Sequence, residues 1–98
     1  MVIDKLLEVV WTYTAKNQLK TIYNYYKEKS VQGANNIKNE ILNATKNIRF
    51  SEQYQNDEIE PEYRRIIVRD YKILYLVEDE VIYISKIFST KRDFTQQL

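Results

Sequence analysis

Neither cysteine nor histidine occurs among the 98 residues. Without thiols there is no disulfide framework and no thiolate metal site, and without imidazole the default general base and the commonest metal ligand are both missing. A single glycine and a single proline leave no glycine-rich phosphate loop, and no repeat or low-complexity tract is visible. No apolar run approaches the ~18 residues of a membrane-spanning helix. The start, MVIDKLLEVVWTYT, carries acidic residues inside its apolar run and no small-residue cleavage site. A soluble, cytoplasmic protein is expected, with no metal, no cofactor and no membrane partner.

What is present describes one domain over residues 1–98: 44% of the residues are apolar and 30% charged, enough for a single modest core. Fifteen cations stand against fourteen anions, so the chain is no polyelectrolyte. The charge is nevertheless segregated. Residues 1–29 carry five cations and three anions, residues 30–62 three and six, and residues 63–98 seven and five. A net charge of +1 with a pI near 7.8 falls short of the pI above about 9 of a dedicated nucleic-acid binder, but a local basic patch in the last third is permitted.

Periodicity divides the chain. Leu7, Val9, Trp11 and Tyr13 alternate with more polar residues, which predicts a strand over 6–13. Thr14 offers an N-cap for a helix reaching about Lys29, with Ala15, Leu19, Ile22 and Tyr26 as its apolar stripe. Ser30 caps a second helix in which Ala34, Ile37, Ile41, Ala44 and Ile48 recur at threes and fours up to about Phe50. The acidic run SEQYQNDEIEPE, residues 51–62, reads as a solvated loop interrupted by Pro61. Its carboxylates match no calcium-loop spacing. Three strand-like runs follow, 63–68, 71–77 and 81–88, separated by Arg69-Asp70 and Asp79-Glu80, short enough for hairpins. The order βααβββ predicts an α+β domain: a helical hairpin packed on one face of an antiparallel four-stranded sheet.

The cations inside these strands pose the functional question. With two-residue turns, Val68 pairs with Tyr71 and Glu78 with Val81, and the period of two assigns each side chain a face. Arg64, Ile66, Val68, Tyr71, Ile73, Tyr75, Val77, Ile82, Ile84, Lys86 and Phe88 fall on the face that meets the helices, with Arg64 and Lys86 at its rim. Tyr63, Arg65, Ile67, Arg69, Lys72, Leu74, Leu76, Val81, Tyr83, Ser85 and Ile87 fall on the open face. Such cations can simply keep a sheet face soluble. Together with Lys91 and Arg92 returning over it, and with Leu74, Leu76, Val81 and Ile87 exposed between them, they would instead form an apolar patch rimmed by charge, the kind that takes a protein partner. Arg65, Lys72, Leu74, Leu76, Tyr83, Ile87, Lys91 and Arg92 are therefore the candidate partner-binding residues. The tyrosines of the first helix, Tyr23, Tyr25 and Tyr26, read as boundary packing.

The segments VVWTYTAKNQLKTIYNYYKEKS, YRRIIVRDYKILYLVEDEVIYISKIF and STKRD, in this order, resemble the ParE/RelE superfamily of plasmid-stabilisation toxins over nearly the whole chain. The resemblance implies the fold just described and a small bacterial type II toxin neutralised by a cognate antitoxin encoded beside it. RelE-like members act as mRNA interferases in the ribosomal A site, whereas ParE-like members poison DNA gyrase. RelE-like chemistry on this chain would use Arg65, Lys72, Arg92 and Tyr63 as its catalytic candidates, because metal-free phosphate-ester cleavage needs cations and a proton donor where charge builds on oxygen. Arg65 falls where that branch has a sheet lysine, Tyr63 replaces the other lysine, Lys72 replaces an arginine, and Arg92 matches a terminal arginine. A tyrosine expected several residues later is missing, with Leu98 about where it should stand. These departures favour the ParE-like branch, a gyrase inhibitor acting through a contact surface. A ribosome-dependent endoribonuclease and an inactive antitoxin-binding member are the alternatives.

Overall fold

The computed structural model describes residues 7–91. The chain forms strand β1 (Glu8–Trp11), helices α1 (Tyr13–Lys27) and α2 (Val31–Lys46), and strands β2 (Arg64–Val68), β3 (Tyr71–Glu78) and β4 (Val81–Ser89). A 3-10 turn occupies Ser51–Gln53. No helix among the described residues is long and apolar enough to cross a membrane.

The boundaries follow local chemistry. Thr12, rather than Thr14, caps α1: its hydroxyl accepts from the Ala15 N–H at 3.2 Å and donates to the Ile84 carbonyl at 2.9 Å, so one side chain both starts the helix and ties it to β4. Ser30 caps α2 as expected, accepting from the Gly33 N–H at 2.9 Å. That helix stops at Lys46, one turn before Phe50. There the Gln53 amide takes over, accepting from the Arg49 N–H at 2.7 Å and donating to the Asn47 carbonyl at 3.1 Å; that carbonyl is among the acceptors a helix C-terminus leaves without an intrahelical partner.

The sheet order is β1-β4-β3-β2. Both hairpin registers are as expected, with Val68 opposite Tyr71 and Glu78 opposite Val81. The sheet is mixed rather than wholly antiparallel, because β1 runs parallel to β4. The reason is a parity count. β2 and β4 are both antiparallel to β3, so β1 also runs with β2. Two helices joined by a short turn bring the chain back to the end where it left β1, and residues 47–63 must then traverse the sheet to begin β2 in that same direction.

Ala15, Leu19 and Ile22 of α1 and Ile37 and Ile41 of α2 are buried with Ile66, Ile73, Tyr75, Ile82 and Ile84 in one core. An irregularity in β4 reshapes the faces. Leu74 lies opposite Lys86 but Tyr75 lies opposite Ile84, which leaves Ser85 as an extra residue, a β-bulge. It sits where β1 ends and α1 begins, and Gln18 of α1 takes over the freed edge by accepting from the Ile87 N–H at 2.7 Å. Beyond the bulge the alternation is inverted. Ile87, expected on the open face, is 2% exposed and belongs to the core, whereas Lys86 and Phe88, expected among the helix-facing residues, move to the opposite face.

Candidate functional site

Three cations now share the sheet face that points away from the helices: Arg65 on β2, Lys72 on β3 and Lys86 on β4. Cross-strand register sets Arg65 and Lys86 on either side of Leu74, and Ile67 and Phe88 on either side of Lys72. The face is covered at this end by the acidic segment that the sequence alone presents as a solvated loop. Asn56 bridges Arg64, the Arg65 N–H donates to the Gln55 carbonyl at 3.1 Å, and the Asp57 N–H donates to the Tyr63 carbonyl at 2.9 Å. The segment is thus stitched to the outer edge of β2.

Asp57 is the centre of this arrangement and is 2% exposed. One carboxylate oxygen, Oδ2, accepts from the N–H groups of Ile59 at 3.1 Å and Glu60 at 2.8 Å, closing the turn that follows it. The other, Oδ1, meets the Lys72 ammonium at 2.7 Å, with the Arg65 guanidinium farther off at 3.9 Å. Burial alone would raise the Asp57 pKa. The Lys72 ammonium, the two N–H donors and the lysine charge outweigh it and hold the carboxyl below the ordinary aspartate range. Around this pair the other charges are matched. Arg65 donates to Glu58 Oε1 at 2.9 Å and Lys86 to Glu60 Oε1 at 2.9 Å, which holds Lys86 above its ordinary pKa. Lys72 also lies 5.8 Å from the Phe88 ring centroid and Lys86 5.7 Å from that of Tyr63.

The candidate residues from the sequence therefore part company. Arg65, Lys72 and Tyr63 do come together, but the two cations are 18% and 12% exposed and engaged by carboxylates of their own chain. Leu74, expected in an exposed patch, is fully buried outside the main core, beneath the stems of Arg65 and Lys86. Leu76 and Tyr83 are paired neighbours farther along the same face and half-buried. Lys91 is exposed, 3.6 Å from Asp70. Arg92 and Leu98 lie outside the described residues. Asp57, set aside in the sequence with the other carboxylates of a solvated loop, was not among the candidates. The signal for its turn was present, an aspartate two and three residues before N–H groups ahead of Pro61, whereas its burial had no signal in the local pattern.

A family model for the ParE toxin of type II toxin–antitoxin systems, parDE, matches residues 9–94. The chain belongs to the ParE toxin family. Among solved structures, a chain from the chromosomal ParDE toxin–antitoxin system of Pseudomonas aeruginosa is similar with a TM-score of 0.77 and 18% identity, over 88% of this chain and 98% of that one. A conserved hypothetical protein of Helicobacter pylori, solved in solution, is similar with a TM-score of 0.55 and 17% identity, over 86% of this chain and 94% of that one. At such identities these structures speak to the fold, and they share the α+β arrangement described above. A search of curated protein sequences gave no significant match. As a ParE-type type II toxin, the chain is held to the geometry already given: a basic sheet face whose described cations are internally paired.

Proposed function

We propose that this ParE-family chain inhibits DNA gyrase in the cytoplasm by occupying a protein surface, and that an antitoxin protein neutralises it. The observation that carries this over the endoribonuclease reading is the pairing of Lys72 with Asp57 and of Arg65 with Glu58. A transition state in phosphate-ester cleavage needs cations preorganised toward the reacting oxygens. Here the two described cations of that set are directed at carboxylates, and redirecting Lys72 to a phosphate would strand the buried Asp57 charge. Stable ion pairs on a sheet are compatible with a contact surface, in which bond cleavage plays no part. Leu76 and Tyr83, half-buried beside this lattice, are the apolar residues such a contact would use.

The test compares two assays on the purified chain. Inhibition of gyrase supercoiling, with mRNA left intact on programmed ribosomes, is the expected result. Codon-dependent cleavage of ribosome-bound mRNA, lost in Arg65→Ala while gyrase works normally, would replace this reading with the ribonuclease.

A further inference from the structure

The two helices carry a charge that the fold does not offset. Residues 12–50 hold seven cations and two anions, and one of those anions, Glu40, is taken by Arg69 of the β2–β3 turn. Among the described residues none of the seven cations has an ion pair. Lys16, Lys20 and Lys27 recur at four and seven along α1, which keeps them on one side of the helix over about 16 Å. Lys38 of α2 stands beside that stripe, its ammonium 5.3 Å from the ring centroid of Tyr23. All four lysines are exposed.

The outer side of α2 continues this surface with amides. Ala34, Ile37, Ile41 and Thr45 are buried, and on the opposite side Asn36, Asn39, Asn43 and Lys46 recur at three, four and three, all exposed. Seven of the chain's eight asparagines lie in residues 12–50, although asparagine is a poor helix former, so helix stability does not account for them. Among the described residues the side-chain amides of Asn36, Asn39 and Asn43 have no hydrogen bond within the chain. This composition narrows the choice of occupant. A membrane surface needs an apolar helix face to insert, and here the apolar faces are turned into the core. The centre of a protein–protein contact is built on apolar anchors and is depleted of lysine. Phosphate oxygens only accept, and ammonium and amide N–H groups are the donors that hold them.

We propose that the outer surface of the helical hairpin is a contact for the phosphate backbone of duplex DNA, made without reading its sequence. Residues 12–50 carry a surplus of five positive charges while the whole chain has a net charge of +1, so the remainder is negative and the molecule approaches a polyanion helices first. One-sided charge of this kind lets a chain with a pI near 7.8 bind weakly through a single face. The inference goes beyond the gyrase reading and stands without it, since the chain alone binds free duplex. Within the gyrase reading, the same face grips the duplex that the enzyme holds.

The test measures binding of the purified full chain to short labelled duplexes of two unrelated sequences, by fluorescence anisotropy over a range of low salt concentrations. With Lys16, Lys20, Lys27, Lys38 and Lys46 each displacing a counterion, the logarithm of affinity should fall with the logarithm of salt at a slope of about −4.5, or about twentyfold for each doubling of salt. The two sequences should bind equally. Lys27→Gln/Lys46→Gln should flatten the slope to about −2.7, whereas Lys27→Arg/Lys46→Arg, which keeps both charges, should keep the wild-type slope. The nearly isosteric Asn36→Asp/Asn39→Asp/Asn43→Asp sets carboxylates against phosphates and should lower affinity by about tenfold or more. These positions are exposed, so every variant should keep the wild-type thermal transition. No binding at low salt, or a slope unchanged by the glutamine pair, would overturn the contact. Tighter binding to polyglutamate or to phosphatidylglycerol vesicles than to duplex would give the face to an acidic protein or a lipid surface and overturn it as well. Gyrase inhibition is assayed separately, so its absence would overturn the function proposed above and leave this contact in place.

Discussion

Replacing Asp57 by alanine is the sharpest perturbation of the sheet face. The substitution removes an acceptor for two N–H groups and the counter-charge of an ammonium whose side chain is only 12% exposed. Breaking a buried ion pair by deleting one partner costs about 3–5 kcal/mol, since the other charge is left uncompensated. The lysine stem can turn its head toward solvent, so the lower end applies, about 3 kcal/mol. For a domain of this size that corresponds to a fall in melting temperature of about 12–24 °C, readable by circular dichroism. The mechanism makes a second demand: the loss must depend on Lys72. Adding Lys72→Met to Asp57→Ala removes the stranded charge, so the double variant should be more stable than the sum of the single losses requires, by about 1–3 kcal/mol. Strict additivity, or a melting temperature for Asp57→Ala within a few degrees of wild type, would show that the carboxylate is a bystander.

Acid titration tests the same group by another route. Because its pKa is lowered in the folded chain, Asp57 contributes stability in full above the ordinary aspartate value and loses it as pH falls from there through the lower folded value; Asp57→Asn should therefore be less stable at pH 7 and lose less on acidification, and identical acid limbs would refute this. Deleting Ser85 removes the extra residue yet keeps Lys86 opposite Leu74 on the outer face and Ile87 opposite Ile73 in the core, so the shortened chain should still unfold cooperatively, whereas loss of the cooperative transition would mean that the bulge itself, whose Ser85 carbonyl accepts from the Thr12 hydroxyl at 3.2 Å, is needed. Ile41→Ala, at a fully buried position beneath α2, should cost about 2–5 kcal/mol by lost transfer energy and cavity formation, and an unchanged urea midpoint would mean that α2 does not seal the core.

The elements were legible because each is written in one period and the apolar runs end where charge begins. Ala15, Leu19 and Ile22, and Ala34, Ile37 and Ile41, are buried on the helix stripes their spacing predicts. The hairpin registers were legible for the same reason. Their turn geometry was not: Arg69, Asp79 and Glu80 all have positive φ without the glycine or asparagine that normally announces it. The end of α2 escaped because Ile48 continues the helical spacing and is buried, though it follows the last turn. The parallel pairing of β1 escaped because no local pattern records the direction in which residues 47–63 run.

The bulge at Ser85 explains why Ile87 is buried rather than on the open face and also resolves why the strands carry so many cations. Alternation assumes that every residue in a strand has a partner, so one unpaired residue inverts everything beyond it. With β4 inverted past Ser85, Lys86 joins Arg65 and Lys72 on one face, and those three cations meet Asp57, Glu58 and Glu60 in pairs. The acidic middle of the sequence and its basic last third are thus the two halves of one contact, and the charges that suggested an external partner there are satisfied within the chain. Among the described residues, the cations without an ion pair are Lys16, Lys20, Lys27, Lys29, Lys38, Lys46 and Arg49, on or just after the helices, and Arg64, whose guanidinium donates to the Tyr54 carbonyl at 2.7 Å. Long-range attraction of an acidic protein depends on such unmatched charge, because a paired cation has little field beyond its own carboxylate. The unmatched field of the chain therefore comes mainly from its helices and not from the sheet face that carries Arg65, Lys72 and Lys86, whose charges are already paired.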